Sequence, residues 1–268
     1  MGPRADDQSM SYFDLRDAMG QPGCPVCRLR TDSAARFLDS LLLESVNDPE
    51  KRARIRRARG FCHNHFWMLA QSSASLGVAI VANDVLTNLL RTLDSGAFDA
   101  LPVVSLRRAQ EAVDLRQSSS ATARLVEQLG PEESCSACSW ADKMVTIHVD
   151  TLIRSLSERD GLRGDYERSD GLCLAHFRQA LARVRKAHTF EVLVSAQRVV
   201  WERLVKHLGE SISKSDYRRQ GEKWGEEAGA WLRGIAALAG PRPDDKERRD
   251  RGHAWSFRRS EIVDTAEK

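Results

Sequence analysis

One spacing constrains this chain more than any other property. Its six cysteines fall into Cys24-Pro25-Val26-Cys27 and Cys62, then Cys135-Ser136-Ala137-Cys138 and Cys173. Cys24 and Cys135 are 111 residues apart, and so are Cys27 and Cys138, Cys62 and Cys173, and His65 and His176. Gly60 and Phe66 recur at the same offset as Gly171 and Phe177. A fixed self-similarity of this kind marks an internal duplication, and it uses every cysteine in the chain. It also sorts the histidines. His63 aligns with Leu174, so it is not expected to be a shared ligand. His148, His188, His207 and His253 have no counterpart and stay unassigned.

The donors suit a metal ion. A CxxC turn lets two thiolates converge on one cation about 2.3 Å away. Cys62 and His65 stand three residues apart, which on a helix start places both side chains on one face. The positive end of that helix favours thiolate. The reading is that each half gathers its own set around one ion: Cys24, Cys27, Cys62 and His65 in the first, Cys135, Cys138, Cys173 and His176 in the second. Exchange of ligands between halves is not excluded by the spacing. Zinc is the expected metal, two ions per chain, in closed sites of net charge −1 with no position for water or substrate. The alternative is iron, because three thiolates and an imidazole also hold an iron–sulfur cluster and Cys-Pro-Val-Cys is similar to a rubredoxin-type knuckle. A disulfide framework is disfavoured: no apolar secretory stretch opens the sequence, and each half has three cysteines with a matched histidine.

The rest of the chain predicts an all-α protein. Arg and Ala abound, β-branched runs are short and aromatic residues make up 6 %. Hydrophobic residues at 41 % permit a sizeable core. The predicted order in each half is a short helix (Tyr12 to Met19, or Ala121 to Leu129), the CxxC knuckle, and a long helix. The apolar stripe of that long helix is Phe37, Leu38, Leu41, Leu42 and Val46, or Val145, Val149, Leu152, Ile153 and Leu156. A loop follows (Asn47 to Pro49, or Asp160 to Asp170). The CxxH helix then runs unbroken past Leu86 or Val199. Its buried side is read as Phe66, Leu69, Leu76, Ile80 and Leu90, with Phe177, Leu181, Val184, Val192 and Val199 in the second half. The halves are placed at residues 1–110 and 111–210, with a linker between them that includes a helix from Val104 to Arg116. A C-terminal segment, 211–268, holds one helix at about Glu222 to Leu238 and a loosely ordered tail.

The layout of tandem CPxC and GFCxxH motifs, followed by a Trp-containing tail ending near Leu-Ala-Gly-Pro, resembles a family of uncharacterised bacterial proteins of unknown function. The resemblance covers most of residues 10 to 240. It rests on Cys24, Cys27, Cys62, His65 and their second-half equivalents. It implies metal binding and no particular activity. One departure is the second knuckle, Cys-Ser-Ala-Cys, which lacks proline and fixes its turn less firmly.

Other features read as structural. Lys51, Arg52, Arg54, Arg56, Arg57 and Arg59 cluster before Cys62. They are either a solvated helix face that balances an anionic metal site or a surface for nucleic acid or another polyanion. Asn83 and Asp84 are read as polar core, and Trp201, Trp224 and Trp231 as core anchors. His188 and Glu191 have i, i+3 spacing, but no second such pair supports a di-iron bundle. No phosphate-binding glycine loop, nucleophile elbow or HExxH motif occurs, so the reading leans away from an enzyme. The net charge of +3 is too small for an overtly nucleic-acid-binding composition. Leu76 to Leu90, the most apolar stretch, carries Asn83 and Asp84, which are costly in lipid. The expectation is therefore a cytoplasmic helical protein that acts as an interaction or regulatory module, off the membrane, with another protein as its partner. The alternative is a redox-active metalloprotein, an electron carrier or redox sensor.

Overall fold

The computed structural model describes residues 9–70, 74–94, 123–158, 161–216, 218 and 222–241, and all of their regular structure is helical. The order is α1 (Met10–Met19), α2 (Pro25–Glu44), α3 (Pro49–Arg57), α4 (His63–Ala70), α5 (Ser75–Asp94), α6 (Ser136–Leu156), α7 (Arg163–Arg168), α8 (Leu174–Arg183), α9 (Ala187–Lys214), a 3₁₀ turn (Glu226–Gly229) and α10 (Ala230–Ala239). Residues 123–129 are also helical. The predicted helix from Val104 to Arg116 and the end of the tail lie outside the described residues.

The chain divides into two compact units. One is Met1–Leu15 with Arg28–Leu152, the other Arg16–Cys27 with Ile153–Lys268. The boundaries fall inside α1, α2 and α6.

In the first unit the stripe predicted for α2 is the centre of the core. Leu38, Leu41 and Leu42 pack with Ile55 of α3, Phe61, Leu69 of α4, and Val81 and Val85 of α5. Asp48 caps α3, its carboxylate accepting from the Glu50 and Lys51 amides at 2.9 and 3.1 Å, and Pro49 occupies the first helical position. Both are strong start signals, so the helix starts at Pro49, the last residue of the expected loop, and carries Lys51, Arg52, Arg54, Arg56 and Arg57.

The CxxH helices are each interrupted, contrary to the unbroken helices predicted. α4 ends at Ala70 and α5 starts at Ser75. α8 ends at Arg183, after which Val184 and Lys186 are extended and α9 begins. The buried face of α5 is correspondingly rotated. Gly77, Val81 and Val85 face inward, while Leu76 and Leu90 are 74 % and 59 % exposed. Gly77 explains the choice: a Cβ there would lie 3.0 Å from Leu42 Cδ2, so the missing side chain admits α2 closely. Asp84 is held on the same helix by Arg52 and Arg56, each at 2.8 Å. Burial alone would raise its pKa, but the Arg52 and Arg56 guanidinium bonds reverse this and hold the carboxylate below its ordinary value. By length and composition α5 is apolar enough to cross a membrane. Yet it carries this ion pair at its middle and contributes Val81 and Val85 to the core.

In the second unit α9 is central. It packs against α7, the 3₁₀ turn and α10. Its inward residues are Val192, Leu193, Ala196, Gln197 and Val200, whereas Val199, expected inside, is 42 % exposed. α7 replaces the loop predicted from Asp160 to Asp170 and supplies the fully buried Tyr166. Trp201 packs edge-on against Phe177 with centroids 5.3 Å apart. Trp224 and Trp231, expected as core anchors, are 41 % and 50 % exposed. The single helix predicted for the tail is a 3₁₀ turn followed by α10.

Candidate metal centres

All eight residues singled out by the duplication come together, in two groups of four. The groups are Cys24, Cys27, Cys173 and His176, and Cys62, His65, Cys135 and Cys138. This corrects the expectation that each half gathers its own ligands. Cys24 and Cys27 do not meet Cys62 and His65. The CxxC pair of each half meets the CxxH pair of the other, and each complete group lies within one compact unit.

The local geometry has one rule, used four times. Cys24 immediately precedes the first residue of α2 and Cys27 is its third. Cys135 and Cys138 hold the same places on α6, Cys62 and His65 on α4, and Cys173 and His176 on α8. The knuckles are therefore helix starts. The Phe66 amide donates to the Cys62 carbonyl at 2.9 Å, Phe177 to Cys173 at 2.8 Å and Ser139 to Cys135 at 3.0 Å, closing each first turn. Pro25 fits this position because its missing N–H is an orphan donor there anyway. Ser136 serves as well, so the second motif loses nothing essential without proline. Each group thus receives the positive ends of two helices, which favour thiolates and an anionic centre.

The interatomic distances fit one small cation. In the Cys24 group, Cys27 Sγ lies 3.6 Å from Cys173 Sγ and 3.2 Å from His176 Nδ1. Cys173 Sγ and Cys24 Sγ are 3.3 and 3.6 Å from the same nitrogen. In the Cys62 group, Cys62 Sγ is 3.6 Å from Cys138 Sγ, and the three sulfurs stand 3.2 to 3.5 Å from His65 Nδ1. A tetrahedron with bonds of about 2.3 Å to sulfur and 2.0 Å to nitrogen has edges of about 3.5–3.8 Å. Sulfurs 3.6 Å apart are far beyond the roughly 2.05 Å of a disulfide, and none of the six cysteines is in a disulfide.

Thiols and an imidazole held this close shift one another's titration. Cys27 is pushed strongly upward by its contacts with Cys173 and Cys24 and by burial, while Cys173 is held far below an ordinary thiol by the Cys24, Cys27 and His176 contacts. Burial would lower His176, but the Cys173 and Cys24 sulfurs raise it to about 9. Burial and the Cys62 contact push Cys138 up to about 12. A divalent cation relieves this repulsion in both groups.

Hydrogen bonds and ion pairs next to the cysteines join the segments that meet in each group. The Gly23 amide, before Cys24, donates to Asp170 Oδ2 at 2.7 Å, three residues before Cys173. In the other unit, α3 grips the segment leading to Cys135. Arg57 pairs with Glu133 at 2.6 Å, Arg59 with Glu132 at 3.1 Å, and the Glu132 amide donates to the Arg57 carbonyl at 2.8 Å. The acidic pair next to Cys135 was the available signal, since it complements the basic cluster before Cys62. Among the described residues, Tyr166 and Gln197 hold the turn before Cys173. The Tyr166 hydroxyl donates to Gln197 Oε1. The Leu172 amide donates to both groups at 3.2 Å, and Gln197 Nε2 donates to the Leu172 carbonyl at 3.2 Å.

The two groups differ in shielding. Cys24, Cys27 and Cys173 are buried, and α10 closes over them. Gly240, at φ +86, leaves its missing Cβ position 3.7 Å from Cys27 Sγ. In the other group Cys62, Cys135 and Cys138 are half-buried. Gly60 introduces that group at φ +95, and a Cβ there would come within 2.4 Å of Phe66 Cε2. Gly60→Ala is expected to cost about 2–4 kcal/mol from backbone strain and overpacking. Urea denaturation of the metal-loaded protein measures this.

The chain belongs to a family of unknown function, DUF6062, matched over residues 8–245. It is similar to an uncharacterised 23.9 kDa protein in the xynA 3′ region of Caldicellulosiruptor sp. (strain Rt8B.4), at 22 % identity over 218 residues, which cover 81 % of this chain and 95 % of the relative. No solved structure matches it.

Proposed function

We propose that this chain is a zinc-stabilised, non-enzymatic helical protein that serves as an interaction or regulatory module in the cytoplasm. The observation that carries the reading is the convergence of four donors, within 4.8 Å of one another, in each of two groups. Four protein ligands fill a tetrahedron, so the proposed ions are structural. Each would pin the start of one helix to the start of another. The partner is proposed to be another protein. Arg52, Arg54, Arg56, Arg57 and Arg59 already pair with Asp84, Glu132 or Glu133, and Lys51 donates to Ser45, which weighs against a polyanion surface.

A redox iron protein is the second reading, favoured by the three sulfurs in each group. The short edges support a single ion over a cluster, whose separated irons need a wider cage. Metal analysis and visible absorption of anaerobically purified protein test the choice. The expected result is about two zinc per chain and a colourless solution. Stoichiometric iron with strong visible absorption overturns it.

A further inference from the structure

We propose that the groove between α2 and α6 in the first unit binds a small aromatic carboxylate. The groove has a volume of about 300 Å³ and is lined by Ser33, Arg36, Phe37, Ser40, Leu41, Lys51, Trp140 and Met144. That volume is at the small end for organic-ligand sites. It is apart from both metal centres, none of whose ligands line it.

The lining is organised by helical spacing. Ser33, Arg36, Phe37 and Ser40 recur at i, i+3, i+4 and i+7 along α2, and Trp140 and Met144 at i, i+4 along α6, so each helix offers one face. Phe37 and Trp140 stack at 6.0 Å with an interplanar angle of 23°. With the buried Leu41 and with Met144 they are the apolar part of the lining. Trp140 is 39 % exposed, and Lys143 Nζ lies 5.7 Å from its ring centroid.

The polar side selects an anion. Arg36 and Lys51 line the groove and no lining residue is acidic. Arg36 makes no ion pair among the described residues, unlike the arginines of α3. A second observation is independent of charge. Ser33 is 2 % exposed, and its Oγ has no hydrogen-bond partner among the described residues. A buried hydroxyl without a partner is costly. A carboxylate oxygen would accept from this hydroxyl and from the Arg36 fork together, while a ring packed against Phe37 and Trp140. These aromatic lining residues distinguish the ligand from an inorganic anion.

The test titrates benzoate into the metal-loaded full chain, followed by calorimetry and tryptophan fluorescence. Saturable binding is expected in the millimolar range or tighter, with acetate, benzamide and inorganic phosphate each at least about tenfold weaker. Arg36→Gln and Trp140→Leu are each expected to weaken benzoate by about tenfold, and Ser33→Ala by about threefold or more. Metal content and helicity of each variant, compared with the parent, establish that the fold is intact. No saturation up to about 20 mM overturns the proposal. So does equal affinity for phosphate or acetate, or unchanged affinity in both Arg36→Gln and Trp140→Leu.

Discussion

Stripping both ions with a strong chelator is expected to remove most of the far-ultraviolet helical signal, and zinc to restore it. A structural zinc site contributes on the order of 10–16 kcal/mol to folding. The net stability of a domain is only about 5–15 kcal/mol. Loss of either proposed ion is thus comparable with the whole margin of the unit that holds it. In the Cys24 group the ion would tie α2 to α8, and in the Cys62 group α6 to α4, so release frees two helix starts at once. Release is expected in two phases followed with a chromophoric chelator. The first comes from the half-buried Cys62, Cys135 and Cys138, the second from the group covered by α10. Full helicity after complete removal of metal would show that the ions are dispensable to the fold.

Gln197→Leu is expected to destabilise the metal-loaded protein by about 2–4 kcal/mol in urea, and to loosen one metal centre more than the other. Gln197 is 1 % exposed and engages the Tyr166 hydroxyl and both backbone groups of Leu172. Leucine is of similar size, so packing is largely retained. What remains is a buried carbonyl and a buried hydroxyl without their Gln197 partners, each costing about 1–3 kcal/mol. Burial raises the Tyr166 pKa well above its ordinary value, so the hydroxyl stays neutral and cannot escape by ionising. Because Leu172 adjoins Cys173, metal release from the Cys24 group is expected to quicken while the Cys62 group keeps its rate. Equal acceleration at both would mean that Gln197 acts through general stability alone.

Which residues gather in the two groups was legible in the sequence because the 111-residue offset acts on every cysteine and selects His65 and His176 over the other histidines. Their pairing was not legible. Two copies of one motif offer chemically identical partners, so nothing in the donors tells a CxxC pair which CxxH pair it will meet. The discriminating information lay outside the motifs, in Glu132 and Glu133 opposite the α3 arginines and in Asp170 opposite Gly23. Each is a short-range charge or hydrogen-bond match that only acquires meaning once the segments are close.

Helix type was legible for a different reason from helix face. The α2 stripe was read correctly because large aliphatic residues fill its buried side. On α5 the buried side is built around Gly77, and a count of large apolar residues favours the wrong face. The interruption between α8 and α9 falls at Val184-Arg185-Lys186, where neither proline nor glycine announces it. Tertiary packing of α9 against α7 and α10 overrides the continuous helical pattern there.

Metal stoichiometry of two double variants separates exchanged pairing from pairing within each half. Cys24→Ser combined with Cys173→Ser damages one group and is expected to retain about one metal per chain, while Cys24→Ser combined with Cys62→Ser damages both and is expected to retain about none. The reverse pattern, with metal lost from the first double variant and retained by the second, would contradict the account and return each ion to a single half of the sequence.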